Sequence, residues 1–138
     1  MKVIAFVASV CLTAIPLGLP VLAGNNDPLF VNLTTNQAHR SKMAIGFSEA
    51  QLERGHALTI FLNDQGILLA SKVNANEYKE QQAILLAIIE KGGTVIACPA
   101  CMKQYGVSEE DLLDGIKVGN PTLTGEMLFQ DDTQTLSW

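Results

Sequence analysis

Between Thr94 and Gly106 the chain reads T-V-I-A-C-P-A-C-M-K-Q-Y-G, a stretch that leaves few choices of fold. Val95 and Ile96 favour a strand and follow the breaker Gly92-Gly93. Pro99 suits the first position of a helix, where its missing N–H would have no intrahelical partner and its φ is already helical. A short buried strand, Thr94–Ala97, must therefore hand over directly to a helix. Cys98 becomes the expected N-cap and Cys101 falls in the first turn. A thiol in that place faces free backbone N–H groups and the positive end of the helix dipole, and both favour thiolate, the form that attacks and binds. Met102 and Tyr105 can face the core, and Gly106 is suited to the left-handed stop after the last turn.

The flanking chain alternates strands and helices. Leu29–Leu33 reads as a first strand, and Thr34-Thr35-Asn36 offers N-caps for a helix over about 37–54. Met43, Phe47 and Ala50, at i, i+4 and i+7, are its expected core stripe. Gly55 ends it, and Ala57–Leu62 is a second strand, apolar apart from Thr59, as strands covered on both faces are. Asn63–Gly66 is turn-rich, and Ile67–Ala70 is an apolar loop available as contact surface, as is Trp138. Glu77–Lys91 reads as a buried helix. Ser108-Glu109-Glu110-Asp111 looks like the capped start of another, short helix with Leu112 and Leu113 inward. Ile116–Gly119 is a fourth strand, Asn120-Pro121 starts a last helix through about Phe129, and Thr133–Trp138 is a final strand. This order predicts an α/β fold: a single three-layer domain, with a mainly parallel sheet of about five strands and helices on both faces. In such sheets ligands bind beyond the carboxyl ends of strands, and Cys98 stands at one.

Residues 1–23 read as an address. Lys2 precedes an apolar run over residues 3–19, and Val21-Leu22-Ala23 suits cleavage before Gly24. Residues 1–23 are thus expected to be a signal peptide and 24–138 the domain, exported and periplasmic. The net charge is −5 over 138 residues. An acidic chain without Lys/Arg clusters argues against nucleic acid and against anionic membrane surfaces. With Cys11 removed, Cys98 and Cys101 remain. A disulfide between them would close a tiny loop and restrict the unfolded chain little, so the pair is better explained by redox or sulfur chemistry.

A structural zinc site needs four ligands. Beyond the cysteines only His39 and His56 are typical nitrogen ligands, and they flank one helix roughly 25 Å apart. Two thiolates with Met102 nearby could hold soft Cu(I). His39 is a candidate base on the same sheet edge as Cys98, and Arg40 and Lys42 could hold an anionic sulfur species. No glycine loop for phosphate and no nucleophile-elbow serine is present, and no cofactor is expected.

The segment I-A-C-P-A-C-M-K-Q-Y-G-V, Ile96–Val107, with V-S-E-E-D-L-L-D-G, Val107–Gly115, resembles the DsrE/DsrF-like family. That family includes the TusD-type sulfur-relay subunits. Cys98, Gly106 and Val107 match its spacing of sulfur-accepting cysteine, two-turn helix, glycine and short apolar residue; Cys101 falls where relay subunits commonly carry a small residue. The resemblance covers essentially all of 24–138. It implies a compact three-layer α/β fold, homo- or hetero-oligomers with related subunits, and sulfur carried as a cysteine persulfide. On it, the expected function is an exported sulfur-handling protein, a carrier or sulfurtransferase more than an enzyme of high turnover. Cys98 would be the persulfide site and Cys101 the resolving thiol, and the partners a sulfur donor or acceptor protein or a small sulfane-sulfur species. A thiol–disulfide exchange protein and a Cu(I)-binding dithiol are the alternatives.

Overall fold

The computed structural model describes residues 24–138; the expected signal peptide, with Cys11, lies outside the described residues. Five strands form one wholly parallel sheet: β1 (Leu29–Leu33), β2 (Leu58–Leu62), β3 (Thr94–Ala97), β4 (Lys117–Val118) and β5 (Gln134–Ser137), in the order β4-β3-β2-β1-β5. Four α-helices connect them: α1 (Ala38–Glu53), α2 (Lys79–Glu90), α3 (Pro99–Tyr105) and α4 (Pro121–Leu128). Chain direction across the sheet is constant from β1 to β4 and reverses on the way to β5. Because parallel crossovers are right-handed, that reversal sends α4 to the opposite face. This is the expected three-layer α/β arrangement, with unequal outer layers. Among the described residues no helix is long and apolar enough to cross a membrane.

Alternation along the strands divides the sheet's faces. Val31, Leu33, Ile60, Leu62, Val95 and Ala97 are all wholly buried on the side of α1 and α2, with Ile45, Leu85 and Ile88 beneath them. Burial of each such aliphatic side chain is worth about 1.5–3 kcal/mol. The other face carries Phe30, Asn32, Thr59, Phe61 and Ile96. It is covered by α4, a helix with no fully buried residue.

Several elements depart from expectation. Met43, Phe47 and Ala50 do not face the core: Met43 and Phe47 are 54% and 42% exposed, and the buried stripe is Ser41, Ala44, Ile45 and Ser48. Helices α1 and α2 meet where Gln81 reaches the Ala38 carbonyl and the Ser41 hydroxyl. The hydroxyls can be buried because Ser41 donates to the Gln37 carbonyl and Ser48 to the Ala44 carbonyl, 2.9 and 2.7 Å, while Gln81 of α2 donates to the Ala38 carbonyl. Phe47 instead stacks, tilted, 6.0 Å from Trp138. Helix α2 is less buried than its composition suggests, since Ala83 is exposed and Gln81 and Gln82 are buried.

Residues 64–70 are a 3₁₀ segment whose Ile67, Leu69 and Ala70 are wholly buried, so this stretch is core and not contact surface. The segment after Ser108 forms turns and no helix. Leu113 N–H bonds the Ala70 carbonyl at 2.9 Å, Lys72 N–H bonds the Asp111 carbonyl at 2.7 Å, and Leu112 bridges Ser71. Pairing with the 70–72 backbone thus takes the groups a helix would use, while Leu112 and Leu113 are buried as expected.

Gly66 lets the 3₁₀ segment cross the end of β1, because a Cβ there would overlap the Leu33 carbonyl oxygen. Gly66→Ala is therefore expected to cost about 2–4 kcal/mol, roughly 10 °C in Tm for a domain of this size. Gly46→Ala, within α1 where a Cβ meets nothing within 4 Å, is expected to leave Tm unchanged or raise it slightly. Equal melting temperatures for the two variants in calorimetry would contradict the close approach at Gly66.

Candidate sulfur site at the carboxyl edge of the sheet

Register brings three segments to one edge. Leu62 pairs with Ala97 and Ala97 with Val118. Asn63, Cys98 and Gly119 therefore stand side by side, each one residue past its strand. Two backbone bonds lock this row: Cys98 N–H to the Leu62 carbonyl, 3.1 Å, and Gly119 N–H to the Ala97 carbonyl, 2.8 Å. Cys98 is the N-cap of α3, with φ −72° and ψ 114°, and its carbonyl accepts the first intrahelical bond from Met102 N–H. Pro99 opens the helix, and Gly106, with φ +68°, closes it in the left-handed conformation.

The half-buried thiols of Cys98 and Cys101 are unbonded and lie 2.9 Å apart. Cys101 is held by the turn after β2: its sulfur accepts the Asp64 N–H at 3.2 Å and lies 3.0 Å from Asn63 Oδ1, an acceptor for its S–H. Asp64 presents that N–H from a positive φ of 46°, uncommon for a side-chain-bearing residue. Its carboxylate accepts the Tyr105 hydroxyl proton.

The Cys101 environment departs from the thiolate-favouring turn expected of it. Burial pushes its thiol above the ordinary value, the hydrogen bond with Cys98 pushes the same way, and only the Asp64 N–H opposes them. Tyr105 is likewise raised, first by its bond to the Asp64 carboxylate. The protonated form of Cys101 is favoured, with its S–H directed at either Asn63 or Cys98.

Beside Cys98 lies a hollow of about 240 Å³ between the start of α3 and α4, walled by Phe61, Pro99, Ala100, Gly119, Pro121 and Thr124. Asn120 also borders it, but its side-chain oxygen already caps α4 by accepting Leu123 N–H at 2.9 Å. None of the described residues lining the hollow is charged. A larger hollow of about 350 Å³ adjoins at Phe61 and Thr124 and continues over the α4 face of the sheet.

The other residues singled out from sequence lie apart. His39 and Lys42 line a separate hollow between α1 and α2, where Lys42 pairs with Glu80 at 2.6 Å. Arg40 is exposed. His56, at the far end of α1, bonds the Asp27 carbonyl through Nδ1 at 2.8 Å. Met102, which a Cu(I) site could have drawn on, is buried in the core, the side it was expected to face. No three His, Cys, Asp or Glu side chains converge as a metal site among the described residues. Sequence reasoning missed Asn63 and Asp64, read only as a turn, and the polar role of Tyr105. The available signal was positional: Asn63 directly follows β2, as Cys98 follows β3.

Comparison with known proteins agrees with this architecture. Uncharacterized protein MK0008 of Methanopyrus kandleri and uncharacterized protein MJ0989 of Methanocaldococcus jannaschii are each 35% identical over 80 residues, 57% of this chain. The match spans 66% of the first, just under two thirds of its length, and 70% of the second. Among solved structures, the ychN protein from E. coli superposes with a TM-score of 0.69 at 17% identity, over 82% of this chain and 99% of that one. MTH1491 from Methanobacterium thermoautotrophicum does so with 0.65 at 12% identity, over 82% and 100%. At such identities these structures show a common fold. With the DsrE/DsrF-like family model matching residues 29–134, most of its length, the chain belongs to the DsrE/DsrF-like family.

Proposed function

We propose that this protein is a sulfur carrier: Cys98 accepts a sulfane sulfur atom as a persulfide, and Cys101 is the thiol that can resolve it. The supporting observation is the pair itself, two free thiols 2.9 Å apart at the carboxyl edge of a parallel sheet, with only Cys98 lining the adjoining hollow. Family membership supports the choice of sulfur chemistry.

Loading is a thiol exchange. The Cys98 thiolate attacks the outer sulfur of a donor R–S–S–H, the S–S bond breaks, Cys98–S–S–H forms, and R–S⁻ leaves. Delivery repeats the step, with a thiolate of an acceptor protein attacking the outer sulfur and Cys98 leaving as thiolate. The alternative fate is internal. A Cys101 thiolate attacks Cys98 Sγ and expels HS⁻, so that the sulfane sulfur is reduced to sulfide while the two cysteines are oxidised to a disulfide. That branch requires Cys101 to lose its proton first. Burial, which pushes the Cys101 thiol above its ordinary value, opposes that proton loss at neutral pH and favours the carrier role. In this reading residues 1–23 are the export signal and the partners are periplasmic.

Dithiol exchange is the second reading. The same 2.9 Å approach favours it, since a small displacement would bring the sulfurs to bonding distance.

Exposure of the reduced domain to a persulfide donor is expected to add the mass of sulfur in wild type and Cys101→Ala but not in Cys98→Ala, read by intact-protein mass spectrometry. Loss of two hydrogens without retained sulfur would replace the carrier reading with dithiol exchange. Sulfide release from loaded wild type is expected to be slow at neutral pH and to rise with pH through a midpoint above the ordinary thiol range, while loaded Cys101→Ala releases none by this route. A midpoint at or below that range would contradict the role given to the Cys101 proton. In Cys98→Ala, which lacks one of the causes raising Cys101, the pH profile of Cys101 alkylation is expected to move to lower pH.

A further inference from the structure

The charge pattern around Cys98 bears on which sulfur compound it takes. The hollow beside its thiol is walled by Phe61, two prolines, Ala100 and the small Gly119, and no charged side chain lines it. The charge acting on Cys101 is negative: the Asp64 carboxylate, which accepts the Tyr105 hydroxyl proton, pushes the Cys101 thiol up. The cations that sequence alone offered for an anionic sulfur species are elsewhere, Lys42 paired with Glu80 on the α1–α2 side and Arg40 exposed on α1. An anionic donor seated at Cys98 would give up hydration with no counter-charge in return, at an edge whose Asp64 carboxylate would repel it.

We propose that the donor site at Cys98 selects an organic persulfide, R–S–S–H, whose R group is a compact uncharged hydrocarbon that seats in the hollow between α3 and α4, and that it discriminates against donors carrying a carboxylate or sulfonate. This rests on the persulfide reading of Cys98. The reaction is the loading step already written: the Cys98 thiolate takes the outer sulfur with its proton, and R–S⁻ departs from the hollow. Thr124 is a neutral residue on the α4 wall, and Asp64, which bonds Cys101 and Tyr105, carries the negative charge at this edge.

The test compares benzyl hydropersulfide with its 4-carboxybenzyl analogue, donors of the same ring size and similar leaving group, by the rate at which each adds sulfur to Cys98 in the full domain. The neutral donor is expected to be faster by about tenfold, the effect of one uncompensated like charge near the site. Thr124→Lys, which places a cation in the hollow, and Asp64→Asn, which removes the anion with a residue that also tolerates positive φ, are each expected to shrink that ratio several-fold. The ratio within each variant cancels any change in Cys98 nucleophilicity, and either variant suffices should the other fail to fold. Equal or reversed rates in wild type would overturn the inference and leave the persulfide reading intact. A preference that vanished at about 1 M salt, where screening acts over only about 3 Å, would belong to the net charge of the chain and would also overturn it. Failure of both donors to load a Cys98 that still alkylates would end the persulfide reading and this inference with it.

Discussion

The hydrogen bond from Cys98 N–H to the Leu62 carbonyl extends the pairing of β2 and β3 one residue beyond the last strand position. Everything at the site depends on that extra step. It fixes Cys98 beside Asn63 and beneath the turn that carries Asp64. Since α3 starts at once, Cys101 arrives one turn later against the same turn. Asn63 and Asp64, which bond Cys101, lie 38 and 37 residues away in sequence, so sheet register brings these partners to the thiol. The two sulfurs consequently differ, one lining the apolar hollow and one held among hydrogen-bonding groups.

Unequal covering of the sheet is the second determinant. The α1–α2 face is a close-packed aliphatic core, whereas the α4 face keeps hollows that a single eight-residue helix leaves open. An aliphatic face packed to crystal-like density has no room for a ligand. The chain therefore carries stability on one face and an accessible surface on the other, with Cys98 where the open face meets the carboxyl edge.

The strand–cysteine–helix unit was legible because its punctuation is local: two glycines, a proline at the first helical position and a left-handed glycine allow one arrangement. The parallel sheet was legible from the continuous apolar strands. What could not be read locally involved competition between distant groups. Met43 and Phe47 lost the core face of α1 to a stripe with two serines, whose hydroxyls bond carbonyls of α1 and its N-cap, Ser41 being met also by Gln81 of another helix. The stretch after Ser108 lost its helix to backbone partners at Ala70 and Lys72. Asn63 and Asp64 acquired their contacts with Cys101 only through the pairing of β2 with β3. Turn propensity carries no trace of that.

Strand β5 lies beside β1, and the bond between Thr34 and Trp138 spans 104 residues. Both partners of that seam must exist before it can form, so a growing chain displays β1 with one open edge until nearly the whole domain has been made. Non-local parallel pairing of this kind closes late and slowly. Until synthesis reaches β5, the ladder groups of Leu29–Leu33 on that side remain free to pair with another extended chain.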